Sequence, residues 1–427
     1  MNWNLRYRLR SYLRSSLWIV PFAAILLEQF LFATLYPLDQ QLGWSGLGLG
    51  VEGAKGMVGA IINLTLTLIV FTFGSLLIAI QVASGQYTPR IIATTLLNNN
   101  VIRYVVGLFV LTFIFEIKAL DRIETTVPQL IVFVGGLLGF TCIISFLFLV
   151  DYVARTLRPV SLVRKVGENG LTVLESVYPE TFNGAHDGED FRGNLGTVTR
   201  TLIQRGTSGI VLAVNVDHLV AEAEKTNGII EFAPQVGDFV GVGEPLFLLR
   251  DGAAAIDDHT LRSCIIFGPE RTLAQDPLFA FRILVDIAIK ALSAAINDPT
   301  TAVLAIDQLH RLLRRAGRRD LRTDCVVNRA GKTRVILRTP KWEDFVHLTF
   351  TEIRFYGADN VQIARRLRAM ILNLMRTLPA ERRAALEQEL GRLDRMLQNL
   401  YTLPEDLALA RIPDPQGLGG STEPDGL

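Results

Sequence analysis

Residues 57–90 read MVGAIINLTLTLIVFTFGSLLIAIQVASGQYTPR, opening with about 27 largely apolar residues and carrying no charge before Arg90. A run of ~20 such residues crosses a bilayer core of ~30 Å, so this one crosses with length to spare. At about 100° per residue on a helix, Gly59, Asn63, Thr67, Gly74, Gln81 and Gly85 fall on one side. Small and hydrogen-bonding residues on one side of a lipid-spanning helix mark the side that meets protein or water rather than lipid.

The rest of the chain is placed relative to this helix. Of 427 residues, 49% are hydrophobic and 20% charged, and the charges concentrate after residue 150. This predicts a transmembrane domain over 1–151 followed by a polar domain large enough for its own core. Four spans are expected, at about 17–36, 57–83, 104–120 and 128–150. The first is long for a signal-peptide core, and the further spans favour an anchor. Arginine is dense in the N-terminal segment (Arg6, Arg8, Arg10, Arg14), in the 83–103 loop and after residue 150, and sparse in the 37–56 and 119–127 loops. The positive-inside rule then puts both termini in the cytoplasm. A net charge of +1 gives no argument for nucleic acid, and Cys142, Cys264 and Cys325 lack metal-ligand spacing and suit a reducing compartment.

Beyond the spans, a juxtamembrane helix (161–176) and connector fill 152–193. Short Gly-punctuated β segments over 194–250 predict a small barrel-like module, making the fold a helical membrane domain plus an α+β domain. Gly237-Asp238-Phe239-Val240-Gly241-Val242-Gly243-Glu244-Pro245-Leu246 resembles the hairpin of biotinyl and lipoyl modules. Lys225 precedes that hairpin instead of following it and is read as an ordinary loop residue, so no cofactor is expected. A mainly helical part spans 259–403, with helices at about 277–292, 299–316, 341–356, 360–378 and 380–402 and a hairpin over 325–337. Asp276-Pro277 and Asp298-Pro299 each read as an N-cap followed by proline at the first helical position. The Pro-, Gly- and acid-rich tail 404–427 reads as disordered.

Two sets of residues are candidate sites. In the membrane, Glu28 falls near mid-bilayer, where a carboxylate costs several kcal/mol unless paired, protonated or facing water. By depth, Asn63 and Glu116 lie at similar levels, with Lys118 just outside. Glu28, Asn63, Thr67, Gln81 and Glu116 line a polar path on one reading. On the other they are interhelical hydrogen-bonding groups, Glu28 or Glu116 meeting Asn63 or Lys118. Gly135 and Gly139 carry the spacing for close helix approach. In the polar domain, Arg282, Asp286 and Lys290 stack at i, i+4, i+8 on an otherwise apolar helix, flanked by Arg271 and Asn297. They form a ligand or anion site, or a buried charge network orienting helices. Arg311, Arg314, Arg315, Arg318, Arg319 and Arg322 close a helix and read as a phosphate- or lipid-binding face or a solvated helix end. The five histidines make no ligand spacing, and P-loop, nucleophile-elbow and dinucleotide motifs are absent, so no enzyme is expected.

The stretches SSLWIVP (15–21), QVASGQYTPR (81–90) and FGPERTLAQDPLFAFR…LVDIAIKALS…INDPTTA (267–302) are similar to those of bacterial predicted membrane proteins of the domain-of-unknown-function 2254 family. The resemblance covers nearly the whole chain and implies a membrane protein with a cytosolic domain and no established activity. Ala294-Ala295 departs from the pattern, where a proline is expected after Ser293 and its loss is expected to loosen the turn. Two functions follow: a homo-oligomeric channel or transporter with a cytoplasmic assembly or gating domain, or a membrane-anchored sensor or scaffold binding a cytosolic ligand. The lipid bilayer and further copies of the chain are the expected partners.

Overall fold

The computed structural model describes residues 3–86, 100–184, 196–321 and 324–420. They form two compact units, Leu9–Leu162 and Met1–Arg8 with Val163–Leu427.

The chain opens on helix α1 (Trp3–Ser15). The membrane unit is then built on α2 (Ile19–Leu42), α3 (Val51–Gln86), α4 (Asn100–Asp121) and α5 (Gln129–Thr156). All four are long and apolar enough to cross a membrane. All four extend past the expected spans at one end or both. Helix α2 continues through Pro37, and Asp39 inside it is buried and accepts a hydrogen bond from the Leu130 amide (2.7 Å), capping the start of α5. The motif residues 87–90 lie outside the described residues.

Packing in this unit forms two apolar clusters. One holds Phe32, Ala54, Val58, Phe115, Ala119, Ile131 and Val132; the other holds Leu68, Leu76, Ile102, Phe109, Cys142 and Leu149. Along α3, α4 and α5 the segments between them include Thr65, Thr112, Gly135 and Gly139, while Glu116 adjoins Phe115 of the first cluster.

The C-terminal unit continues with α6 (Pro159–Val177) and strands β1 (Val198–Ile203) and β2 (Gly209–Val214). Helix α7 (Val216–Lys225) follows, then β3 (Gly228–Phe232), β4 (Phe239–Val240) and β5 (Pro245–Asp251). A short helix α8 (Asp258–Ser263) leads to β6 (Ile265–Gly268). The barrel-like expectation is not met, because the strands form two open sheets. One has the order β1-β5-β3-β8-β7, where β7 is Cys325–Val327 and β8 is Thr333–Ile336; the other is β4-β2-β6. The barrel-type hairpin sequence lies where the two sheets part. Its turn is closed by Gly241 donating to the Glu244 carboxylate (2.9 Å), and it carries the chain from β4 in the small sheet to β5 in the large one. The hairpin over 325–337, assigned from sequence to the helical part, joins the large sheet through parallel pairing of β8 with β3. Val335 accordingly shares a core with Leu202, Ile230, Phe247 and Leu249. Lys225 ends α7 rather than a loop and pairs with Glu222 at 2.6 Å.

The helical part comprises α9 (Pro277–Ala291), α10 (Pro299–Ala316), α11 (Trp342–Gly357), α12 (Val361–Thr377), α13 (Arg383–Leu400) and α14 (Pro404–Ala410). Both aspartates cap as expected: Asp276 accepts from the Phe279 amide (3.1 Å) and Asp298 from the Thr301 amide (3.0 Å). The turn between α9 and α10 is not loosened by Ala294-Ala295. It is closed by Ile296 and Asn297 amides donating to the Ser293 carbonyl (3.0 and 2.8 Å), with Asn297 at φ 46°. Nor is residue 404 onward structureless through residue 420. Besides α14, the Asp414 carboxylate accepts from the amides of Gln416, Gly417 and Gly419, and the fully buried Arg365 donates to the carbonyls of Ile412 and Gly419 (both 3.0 Å). Composition misleads here because a few buried polar anchors replace the missing apolar ones. Residues 421–427 lie outside the described residues.

Candidate functional site

Helix α3 has two unlike faces. Its packed seam is Ala54, Val58, Ile61, Thr65, Leu68, Thr72 and Leu76, all buried against the membrane unit. At 100° per residue this seam lies about 180° from the arc of Asn63, Thr67, Gly74 and Gln81. These four are exposed, and Gly59 is half-buried. A Cβ added at Gly59 or Gly74 would meet no atom within 4 Å. Thr67 Oγ1 donates to the Asn63 carbonyl (2.7 Å), satisfying its hydroxyl along its own helix. The four-helix unit therefore does not cover the polar stripe.

The two carboxylates proposed for the same path sit elsewhere. Glu28 is fully buried and accepts a hydrogen bond from Lys118 Nζ (2.9 Å), tying α2 to α4; Lys118 also reaches Gln29 Oε1 (2.7 Å) and lies 5.5 Å from the centre of the Phe32 ring. The half-buried cation, itself held against the Phe32 ring, compensates a carboxylate that would be costly alone. Glu116 is also fully buried, but faces α5, where a Cβ on Gly135 would stand 2.3 Å from its Oε1. Neither carboxylate oxygen has a protein hydrogen-bond partner. One turn away Cys142 Sγ meets Thr112 Oγ1 at 3.2 Å. The five membrane residues thus divide into an outward stripe (Asn63, Thr67, Gln81) and two separate buried positions (Glu28, Glu116). Asn63 pairs with neither carboxylate.

In the C-terminal unit the charged set divides too. Arg282 grips Glu352 of α11 with both terminal nitrogens and also pairs with Asp286. This doubly anionic clamp raises the guanidinium's affinity for its proton and lowers that of Glu352 below the usual carboxylate range. The Arg282 side chain keeps 26% of its surface exposed and Glu352 39%, so the network is partly solvated rather than desolvated. Glu352 was not singled out from sequence, since nothing local links it to residues 70 positions earlier. Asn297 belongs to the α9–α10 turn.

Arg271 does other work. Its Nε donates to the Gly237 carbonyl (2.8 Å), while Gln275 brackets β2 by accepting from the Val214 amide (2.9 Å) and donating to its carbonyl (3.3 Å). Gly237, at φ 95°, lies so close that a Cβ would stand 2.5 Å from Asp276 Oδ2. Burial, with Asp238 nearby, pushes the Asp276 carboxyl up to about 6. The motif at 267–276 is therefore a latch between the β sheets and α9. Three of the arginines closing α10 are likewise engaged: Arg315 and Arg319 pair with Glu175 of α6, and Arg318 donates to the Thr377 carbonyl (3.3 Å); Arg322 lies outside the described residues. His310 is half-buried beside Arg366, and loss of water with the nearby cation holds it down at about 4, so it stays neutral as it meets Asn373 Oδ1 (3.0 Å).

Four apolar helices packed on one another, followed by an αβ unit with its own core, define a multi-span membrane protein with a large appended unit. The chain matches the family described as predicted membrane protein DUF2254 over residues 14–373 and belongs to that family. It is 25% identical over 426 residues to the uncharacterised proteins Mb1321c of Mycobacterium bovis and Rv1290c of Mycobacterium tuberculosis, covering 95% of this chain and 81% of each relative. No solved structure matches the chain.

Proposed function

We propose that the protein is a homo-oligomeric channel or transporter of the bacterial inner membrane, with both termini in the cytoplasm and the C-terminal unit serving assembly or gating. One observation carries this reading: the polar and small face of α3 lies opposite the seam that packs into its own unit, and is exposed. Lipid tails offer Asn63 and Gln81 no hydrogen-bond partner, whereas other copies or water do. Several α3 helices arranged with this face inward would line a polar path with Asn63, Thr67 and Gln81. The arginine distribution supports the orientation. The sensor or scaffold reading is less favoured, because Arg271, Arg282, Asp286, Arg315 and Arg319 are occupied by internal partners.

Oligomerisation and flux test the proposal together. With the native cysteines replaced, Gly74→Cys in native membranes should cross-link between copies under mild oxidation. Proteoliposomes of the purified protein should pass ions or small solutes above the level of empty vesicles. A monomer with no cross-link and no flux would refute it.

A further inference from the structure

Helix α1 precedes the first span. Residues 3–16 contain Arg6, Arg8, Arg10 and Arg14 and no acidic residue. In α1, Trp3, Asn4 and Tyr7 are half-buried, and Asn4 Nδ2 lies 3.5 Å from the Ile265 carbonyl. Leu5, Leu9, Tyr12 and Leu13 are exposed by 55%, 44%, 53% and 47%. Their spacing of four, three and one places them on one arc about 100° wide, with positions 6 and 8 falling at its two edges. An uncovered apolar ridge bordered by arginine positions is the pattern of a helix lying in a membrane interface. Covalent continuity supplies the partner: only residues 16–18 separate α1 from the membrane-spanning α2. A helix so tethered is held at the height of the lipid headgroups. The net positive charge of the segment selects anionic headgroups over neutral ones.

We infer that α1 is an interfacial anchor that inserts Leu5, Leu9, Tyr12 and Leu13 among the lipids of an anionic leaflet. Partition into lipid gives the ridge an apolar environment that the protein itself does not provide. Phosphate headgroups neutralise the arginines. This inference does not depend on the channel reading.

The test uses the full-length protein in nanodiscs containing phosphatidylglycerol, with Cys142, Cys264 and Cys325 replaced. A nitroxide at Leu9→Cys, and separately at Leu13→Cys, is read by relaxation with oxygen and with a water-soluble nickel chelate. Both labels should be oxygen-favoured, whereas a label at Glu387→Cys should be nickel-accessible. Each arginine near an anionic surface is worth about a fivefold change in affinity. Arg6→Gln with Arg8→Gln should therefore weaken phosphatidylglycerol binding by roughly 25-fold, read as a loss of the lipid retained on purification. Labels at both positions 9 and 13 as nickel-accessible as that at 387 would overturn the inference, as would unchanged lipid retention in a well-folded arginine variant.

Discussion

The polar stripe of α3 and the charged stripe of α9 are alike in sequence, since each interrupts an apolar helix at helical spacing. Their surroundings differ. Arg282 and Asp286 find each other and Glu352, so their polarity is used within one chain. Asn63, Thr67 and Gln81 point away from the unit that packs the opposite side of their helix. A polar stripe becomes a candidate site only when the surrounding fold leaves it over. The same comparison separates the two membrane carboxylates: Glu28 has a cation, and Glu116 has only the space left by Gly135.

The largest effect is expected where a buried charge loses its one cation. Lys118→Ala strands Glu28, and breaking a buried pair costs ~3–5 kcal/mol. Thermal unfolding in detergent should show this loss, and Glu28→Gln added to Lys118→Ala should recover most of it. If Lys118→Ala alone melts like wild type, the Glu28–Lys118 pair contributes little to membrane-unit stability.

Next is Gly135→Ala. Its methyl would overlap the Glu116 carboxylate, and overpacking of this kind costs ~1–3 kcal/mol. In a double-mutant cycle Glu116→Ala should relieve the penalty. Additive effects would mean that the glycine is required by backbone approach alone.

A smaller effect is expected at α9. Full desolvation of the stripe would make Asp286→Ala severely destabilising, but Arg282 is partly exposed and keeps Glu352. The loss should be ~1 kcal/mol, as for a partly exposed ion pair. A drop several times larger would return the stripe to the class of desolvated networks.

The smallest effect at neutral pH belongs to the latch. The Asp276 carboxyl, ordinarily near 3.8, is raised to about 6, so the folded chain holds that proton more tightly than the unfolded chain. Its contribution is fully present below pH 3.8 and is lost as pH rises through about 6. Asp276→Asn keeps a competent N-cap and should remove this slope between those limits while leaving stability at pH 7 equal or higher. A slope unchanged by the substitution would assign it to other groups.

Much of this was legible in the sequence because it rests on local rules. The spans follow from apolar length. The starts of α9 and α10 follow from Asp-Pro pairs, whose geometry involves only the next three residues. What failed depends on distant partners. Two open sheets rather than a barrel are decided by β8 joining β3 from about 100 residues away, as measured by Ile230 against Val335. The ordered segment up to residue 420 depends on Arg365, buried on a helix whose arginines look surface-like in sequence. Asp39 follows the apolar run that ends near Tyr36 and so falls in the expected 37–56 loop, yet it caps α5 from inside α2. In the membrane set, residue types and depth were readable, but which side of each helix faced its own bundle was not.

The most direct test of the account is the chemical environment of α3's outward face. In a cysteine-free background, Thr67→Cys is compared with Leu147→Cys, an exposed apolar position on α5, using a small charged thiol reagent on reconstituted protein. The account predicts that the cysteine at 67 reacts and changes flux while the one at 147 is inert. Unreactive cysteines at both 67 and 81, in protein that remains folded, would contradict the polar path and leave α3 as a dry packing face.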